Sequence, residues 1–166
     1  SRLVVDVERF PDDADEPCAA VGMGATYLRT TEGLPLRALT PARRAELLAL
    51  HYWPHHRRLE AAVTARLGRF GGCVILDAHS YPTRPLPTQP ALAAMPEIGL
   101  GTEGAHTPPA LRGFAEAFFR ARGFEVGVDV PFRGSIVPVR YLSAEFRVRS
   151  LMVEVRRDLY LSLIHI

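Results

Sequence analysis

The stretch Cys73-Val74-Ile75-Leu76-Asp77-Ala78-His79-Ser80 constrains this chain more than any other. Its apolar first half, set between Gly71-Gly72 and Tyr81-Pro82, reads as a buried strand. Open α/β sheets carry their sites at the carboxyl ends of strands, where this one delivers an aspartate and a histidine. Asp77 and His79 are two apart, so an extended chain points both side chains to the same side. A carboxylate beside an imidazole is one way proteins orient a metal-binding histidine. The other reading is a polar strand end that hydrogen-bonds its surroundings.

Strand and helix signals alternate along the rest of the chain. Leu3-Val4-Val5-Asp6-Val7 predicts a first strand, closed by Glu8-Arg9-Phe10-Pro11 and an acidic loop over residues 12–17. Thr40-Pro41 supplies an N-cap hydroxyl and a proline at the first helical position. Leu48, Tyr52, Leu59, Val63 and Leu67 then recur near helical spacing up to Gly68, with Pro54 expected to kink or divide the helix. A proline-studded loop from Tyr81 to Pro96 is long enough to be a functional rim. A second helix is predicted from Thr107-Pro108, with the stripe Leu111, Phe114, Ala115, Phe118, Phe119 and a stop at Gly123. Phe124 to Val130 predicts a strand, Pro131-Phe132-Arg133-Gly134 a turn, and Ser150 to Arg156 another strand. This alternation predicts one α/β domain built on a mostly parallel sheet covered on both faces.

Composition narrows the function classes. A net charge of +2 on 166 residues, with no basic run interleaved with aromatics, argues against nucleic acid as a partner. No apolar stretch approaches the roughly 20 residues of a membrane span, and no signal peptide is legible at the start. Two cysteines set no disulfide framework, so a reducing, cytoplasmic location is the expectation. All 20 basic residues are arginine and asparagine is absent, as in a GC-rich coding sequence. Leu161-Ser162-Leu163-Ile164-His165-Ile166 departs from that bias and resembles a translated sequencing adapter, so residues 161–166 are expected to lie outside a domain of residues 1–160. The abrupt start inside a strand-like run predicts a fragment.

Glu154 stands between apolar neighbours in the last predicted strand. A lone carboxylate there must be paired, protonated or functional. It is either an ion-pair partner of Arg156 or Arg157, or a general base or acid. Arg9 could hold a substrate carboxylate through its bidentate fork, or pair at the surface with Asp12 or Asp13. His51 and His55 have metal-ligand spacing on a helix, but no glutamate follows His51 and Pro54 disturbs the geometry. Gly99-Leu100-Gly101-Thr102-Glu103-Gly104 matches the bare dinucleotide fingerprint, yet the next helix waits until Thr107-Pro108, too late for that motif. Asp77, His79 and Ser80 lie too close on one strand end for a hydrolase triad, and no nucleophile-elbow motif exists.

Taken together, Val5-Asp6-Val7-Glu8-Arg9-Phe10-Pro11, Leu76-Asp77-Ala78-His79-Ser80, His106-Thr107-Pro108, Pro131-Phe132-Arg133-Gly134 and Val153-Glu154-Val155-Arg156-Arg157-Asp158-Leu159-Tyr160 resemble the N-formylglutamate amidohydrolase family, in the family's order. The resemblance implies a three-layer α/β sandwich with a mostly parallel mixed sheet, related to zinc carboxypeptidases and aspartoacylases and incomplete at its N-terminus. It implies hydrolysis of N-formyl-L-glutamate to formate and glutamate, a step of histidine degradation, with a small N-acyl amino acid as substrate and zinc as cofactor. His79 matches a zinc ligand, Glu154 the glutamate that activates water, Arg9 a substrate-binding arginine, with Asp77 orienting His79 and Arg133 on a substrate loop. Such chemistry is coherent: zinc lowers the pKa of bound water to about 7, and a neighbouring glutamate can shuttle its proton.

The sequence departs from the family at several places. Glu8 stands where relatives have asparagine, Asp129-Val130 replaces an asparagine before Pro131, and Gly104-Ala105 dilutes an acidic, aromatic stretch. The Pro-His-Ser-Gly-like segment with its acidic ligand is not in these residues, so the 166-residue polypeptide alone is expected to be nearly inactive. A zinc amidohydrolase for another N-acyl amino acid or peptide, or a non-catalytic binding module, are the alternatives. The roles of His51, His55 and His106 stay open.

Overall fold

The computed structural model describes residues 1–85 and 95–161. Residues 86–94 of the expected rim loop and 162–166 of the adapter-like run lie outside them. The described residues fall into two compact units, Ser1–Ala62 and Val63–Pro85 with 95–161.

In the first unit the expected strand at Leu3–Val7 is a turn instead: the Val4 and Val5 amides donate to the Ser1 carbonyl at 2.9 and 3.3 Å. The segment folds around a buried carboxylate rather than a ladder. Asp6 accepts from the Tyr27 hydroxyl at 2.8 Å and the Glu8 amide at 3.2 Å, while Val5 packs with Ala25, Leu47, Leu48 and Tyr52. Burial, then the Asp6 carboxylate, pushes the Tyr27 phenol up to about 12. Helix α1 (Pro41–Leu47) starts as expected, with Thr40 Oγ1 accepting from the Arg43 amide at 3.2 Å. Pro54 has no donor for an ordinary turn, and the chain widens into a π-turn over Leu48–Tyr52 just before α2 (Trp53–Phe70). That extra residue breaks the α-helical phase between His51 and His55, both exposed.

Helix α2 runs past Gly68 to Phe70. Its stop is Gly71, at φ 72°, whose amide donates to Leu67 O at 2.9 Å; a left-handed residue after the last turn favours glycine.

The second unit is built on a sheet of β1 (Cys73–Tyr81), β2 (Ile98–Gly101), β3 (Val126–Val128) and β4 (Val148–Arg156), in the order β1-β4-β2-β3 among the described residues. The β1–β4 and β2–β3 pairs are parallel and β4–β2 is antiparallel. This α/β architecture with a mixed sheet is the expected class. Strand β2 was not expected, and β3 is shorter than Phe124–Val130 because Asp129 takes φ 54°, outside extended backbone.

The two faces of the sheet differ. One packs Ile98, Leu100 and Leu151 against Ala115, Leu111 and Phe119 of α3 (Pro109–Arg120). Two of the five expected stripe residues, Phe114 and Phe118, instead point to solvent. The α3 cluster includes no β1 residue, so Val74 and Leu76 are 51% and 68% exposed, and the strand is not buried on both sides as its run suggested.

The opposite face carries Gly99 and Gly101 of β2 and Gly127 of β3. These glycines let residues 130–134 lie directly on the sheet: a Cβ on Gly99 would meet Val130 O at 2.9 Å, and one on Gly101 would meet Gly134 O at 2.3 Å. The first two glycines of the bare fingerprint thus serve backbone approach. Tyr81 holds the same segment through an edge-to-face contact with Phe132 at 6.1 Å.

Two outcomes follow for stability. Gly101→Ala forces backbone apart and should cost about 1–3 kcal/mol or more in urea unfolding, whereas Gly113→Ala, with nothing within 4 Å, should be neutral or stabilising by up to about 1 kcal/mol. In the first unit, His56 Nε2–H donates to Val7 O at 2.9 Å, and burial lowers the imidazole below its ordinary 6.5. The folded state therefore disfavours the imidazolium, so this stability is in full above 6.5 and is lost as pH falls through the lowered value. Unfolding monitored against pH should show that acid loss, and His56→Gln should remove it.

Candidate functional site

The site is set by the pairing of β1 with β4. In this parallel ladder Asp77 lies opposite Met152 and His79 opposite Glu154. Opposed residues share a face, so Ile75, Asp77, His79 and Tyr81 line up with Ser150, Met152 and Glu154 on the face away from α3. His79 and Glu154 are each the seventh of nine residues in their strands, near both carboxyl ends. Three of the expected site residues are therefore neighbours on one surface.

Their local chemistry is specific. Asp77 is buried, and its Oδ1 accepts from His79 Nε2 at 2.8 Å. Its Oδ2 accepts from the Ile136 amide at 3.2 Å. A carboxylate oxygen accepts, so Nε2 of His79 is the donor in this pair. Glu154 is buried, 6% exposed, beside Gly99, whose position brings Val130 and Pro131 against it. The arginines considered as its ion-pair partners are engaged elsewhere. Arg156 meets Asp158 at 2.8 Å and Glu97 at 3.8 Å, and Arg157 donates to Ser80 at 3.1 and 3.3 Å.

Arg133 is exposed on the segment that crosses this face, between Phe132 on Tyr81 and Ile136 on Asp77. The segment is tied down further along: Ser150 Oγ donates to Ile136 O at 2.7 Å and accepts from Ser135 Oγ at 2.5 Å. Thr107 Oγ1 donates to Ser150 O at 2.6 Å. Ser150 was not anticipated from sequence; a lone serine at the start of an apolar strand was the available signal.

His106, left open by the sequence, is structural. Its Nδ1–H donates to Val148 O at 2.7 Å and Nε2 accepts from the Ser143 amide at 2.9 Å, so backbone groups occupy both ring nitrogens. Asp129 accepts from the Thr102 amide and hydroxyl at 2.8 and 3.0 Å, which fixes the turn leading into Pro131.

Arg9 belongs to the first unit. Its partners are not Asp12 and Asp13 but the buried Asp6 and Glu16, at 3.7 and 3.6 Å. Asp13 pairs instead with Arg44 at 2.7 Å. Burial pulls the Arg9 pKa down, but Cys18, Tyr27, Glu16 and Asp6 together outweigh it and raise the value. The Tyr52 hydroxyl donates to Arg9 O at 2.9 Å.

The chain is similar to known proteins over nearly its whole length. The chain is 29% identical over 170 aligned positions to an N-formylglutamate deformylase of Pseudomonas aeruginosa, covering 97% of this chain and 62% of that protein. The chain thus spans less than two thirds of that relative's length. A crystal structure of N-formylglutamate amidohydrolase from Ralstonia eutropha JMP134 superposes with a TM-score of 0.81 at 24% identity, covering 97% of this chain and 64% of that one. A gene product of Agrobacterium tumefaciens shares the fold at a TM-score of 0.66 and 19% identity, over 96% of this chain and 59% of that one. No helix among the described residues is long and apolar enough to cross a membrane. The family model for N-formylglutamate amidohydrolase matches residues 1–161, and the chain belongs to that family.

Proposed function

We propose that the protein carrying these residues hydrolyses the formamide of N-formyl-L-glutamate to formate and L-glutamate, in histidine degradation. The observation that carries the reading is the register of His79 against Glu154 on the face away from α3. An imidazole and a carboxylate side by side are what metal-assisted amide hydrolysis requires. The residues fit zinc at one position: His79, held through Nε2 by Asp77, would present Nδ1 to the metal. When bound, zinc supplies Lewis acidity toward the formyl oxygen and lowers the pKa of water.

This chain's own residues do the rest. Glu154 takes a proton from the attacking water as its oxygen bonds to the formyl carbon. It returns that proton to the nitrogen as the C–N bond breaks, and formate and glutamate leave. Burial suits a carboxylate that must change protonation state. Arg133, on the segment pinned beside Glu154, is suited to a substrate carboxylate.

Formate release, assayed on the product of the gene that encodes these residues, tests the reading. Glu154→Gln should lower kcat by about 10²- to 10⁴-fold with little change in KM. His79→Ala should abolish zinc retention and turnover together, and Arg133→Ala should chiefly raise KM. Full turnover in Glu154→Gln refutes the assignment, and preference for another N-acyl amino acid across a substrate panel moves it to that substrate.

A further inference from the structure

The geometry assigns Tyr52 and His56 a positioning role: together they fix the main chain of residues 7–9 and so set where the Arg9 guanidinium points. Their effect on turnover rests on the deformylase reading, with Arg9 as the substrate-binding arginine.

The guanidinium cannot orient itself. Its ion pairs to Asp6 and Glu16 span 3.7 and 3.6 Å, beyond the roughly 2.7–2.9 Å of a charge-assisted hydrogen bond. Its Nε is buried and has no hydrogen-bond partner among the described residues. Pairs that long supply attraction but little direction. The side chain therefore takes its bearing from the backbone that carries it.

That backbone lies in turns, with no strand ladder to hold it, and side chains hold it instead. The Tyr52 hydroxyl donates to Arg9 O at 2.9 Å, and His56 Nε2 donates to Val7 O at 2.9 Å. A carbonyl only accepts, so both rings are the donors. The rings lie against each other as i, i+4 neighbours, with centroids 4.2 Å apart and a tilt of 31°. Tyr52 closes the π-turn and packs with Val5, Ala25, Leu47 and Leu48; such turns recur where helices place functional groups. Burial, followed by Glu8, Glu16 and Asp6, pushes the Tyr52 phenol up to about 12, so the hydroxyl keeps its proton and stays a donor. One of the two gripped carbonyls is Arg9's own.

Tyr52→Phe separates positioning from packing, because it keeps the buried ring and removes one oxygen. His56→Leu removes the other donor, whereas His56→Gln keeps one and serves as the conservative rescue. Proton–nitrogen spectra of the arginine Nε–H groups, recorded on the product of the gene that encodes these residues, read the guanidinium directly. Loss of one signal in Arg9→Lys, which retains the charge beside Asp6 and Glu16, assigns it. Expected is a displaced Arg9 signal in Tyr52→Phe and in His56→Leu, and the native position in His56→Gln. An Arg9 signal that stays in place in either donor-less variant overturns the inference.

Kinetics give the second readout. Tyr52→Phe should raise KM for N-formyl-L-glutamate about 2- to 10-fold with kcat nearly unchanged, the loss of one hydrogen bond, and should add little in an Arg9→Lys background. An equal rise in that background makes Tyr52 merely structural and also overturns the inference. A displaced signal in a protein that does not turn over N-formyl-L-glutamate, or whose KM is indifferent to Arg9→Lys, upholds the positioning and removes the substrate reading, so the two failures are distinguishable.

Discussion

Everything at the candidate site depends on the parallel ladder between β1 and β4. Its register sets His79 opposite Glu154, 75 residues further along the sequence, and the alternation of the strand does the rest. A slip of one residue in β4 would turn Glu154 toward the α3 face. That face is apolar, with Leu151, Leu100 and Ile98 nearly without exposure. Moving that carboxylate into it would desolvate a polar group without partners, at a cost of roughly 2–7 kcal/mol. The apolar pattern of one face therefore enforces the chemistry of the other.

The chemical face is shaped by small residues as much as by charged ones. Gly99, Gly101 and Gly127 let residues 130–134 settle on the strands, and Ser150 fastens the end of that segment. The same segment then reaches Asp77 through Ile136 and carries Arg133. Backbone approach, a buried hydroxyl and a carboxylate act together to hold a single imidazole. His106 plays a different part, with both ring nitrogens on backbone groups, and it fixes Val148 at the start of β4 to the turn at Ser143.

Much of this was legible in the sequence where local chemistry and tertiary context agree. The β1 run, the Thr40 cap and the strand around Glu154 lie close to where the residues predict. The failures have physical causes. Leu3–Val7 has strand composition, but Asp6 draws its neighbours into a turn around a buried carboxylate. Strand β2 is hidden because two of its four residues are glycine, kept for contact with another segment rather than for strand propensity. The stripe of α3 over-counts the core, since the helix covers β2, β3 and β4 but not β1. Ser150 and Ile136 were out of reach because their roles depend on a fold-back of 14 residues that no local pattern signals.

The central claim is that one imidazole nitrogen and one carboxylate, brought together by the β1–β4 register, form the reactive corner of this fold. Anomalous scattering at the zinc edge, on crystals of the zinc-loaded gene product, tests it most directly. The account predicts a zinc peak bonded to Nδ1 of His79, with Asp77 still on Nε2 and the Glu154 carboxylate facing the ion's open side. Zinc bonded through Nε2, or a peak elsewhere with His79 and Glu154 uninvolved, would contradict it.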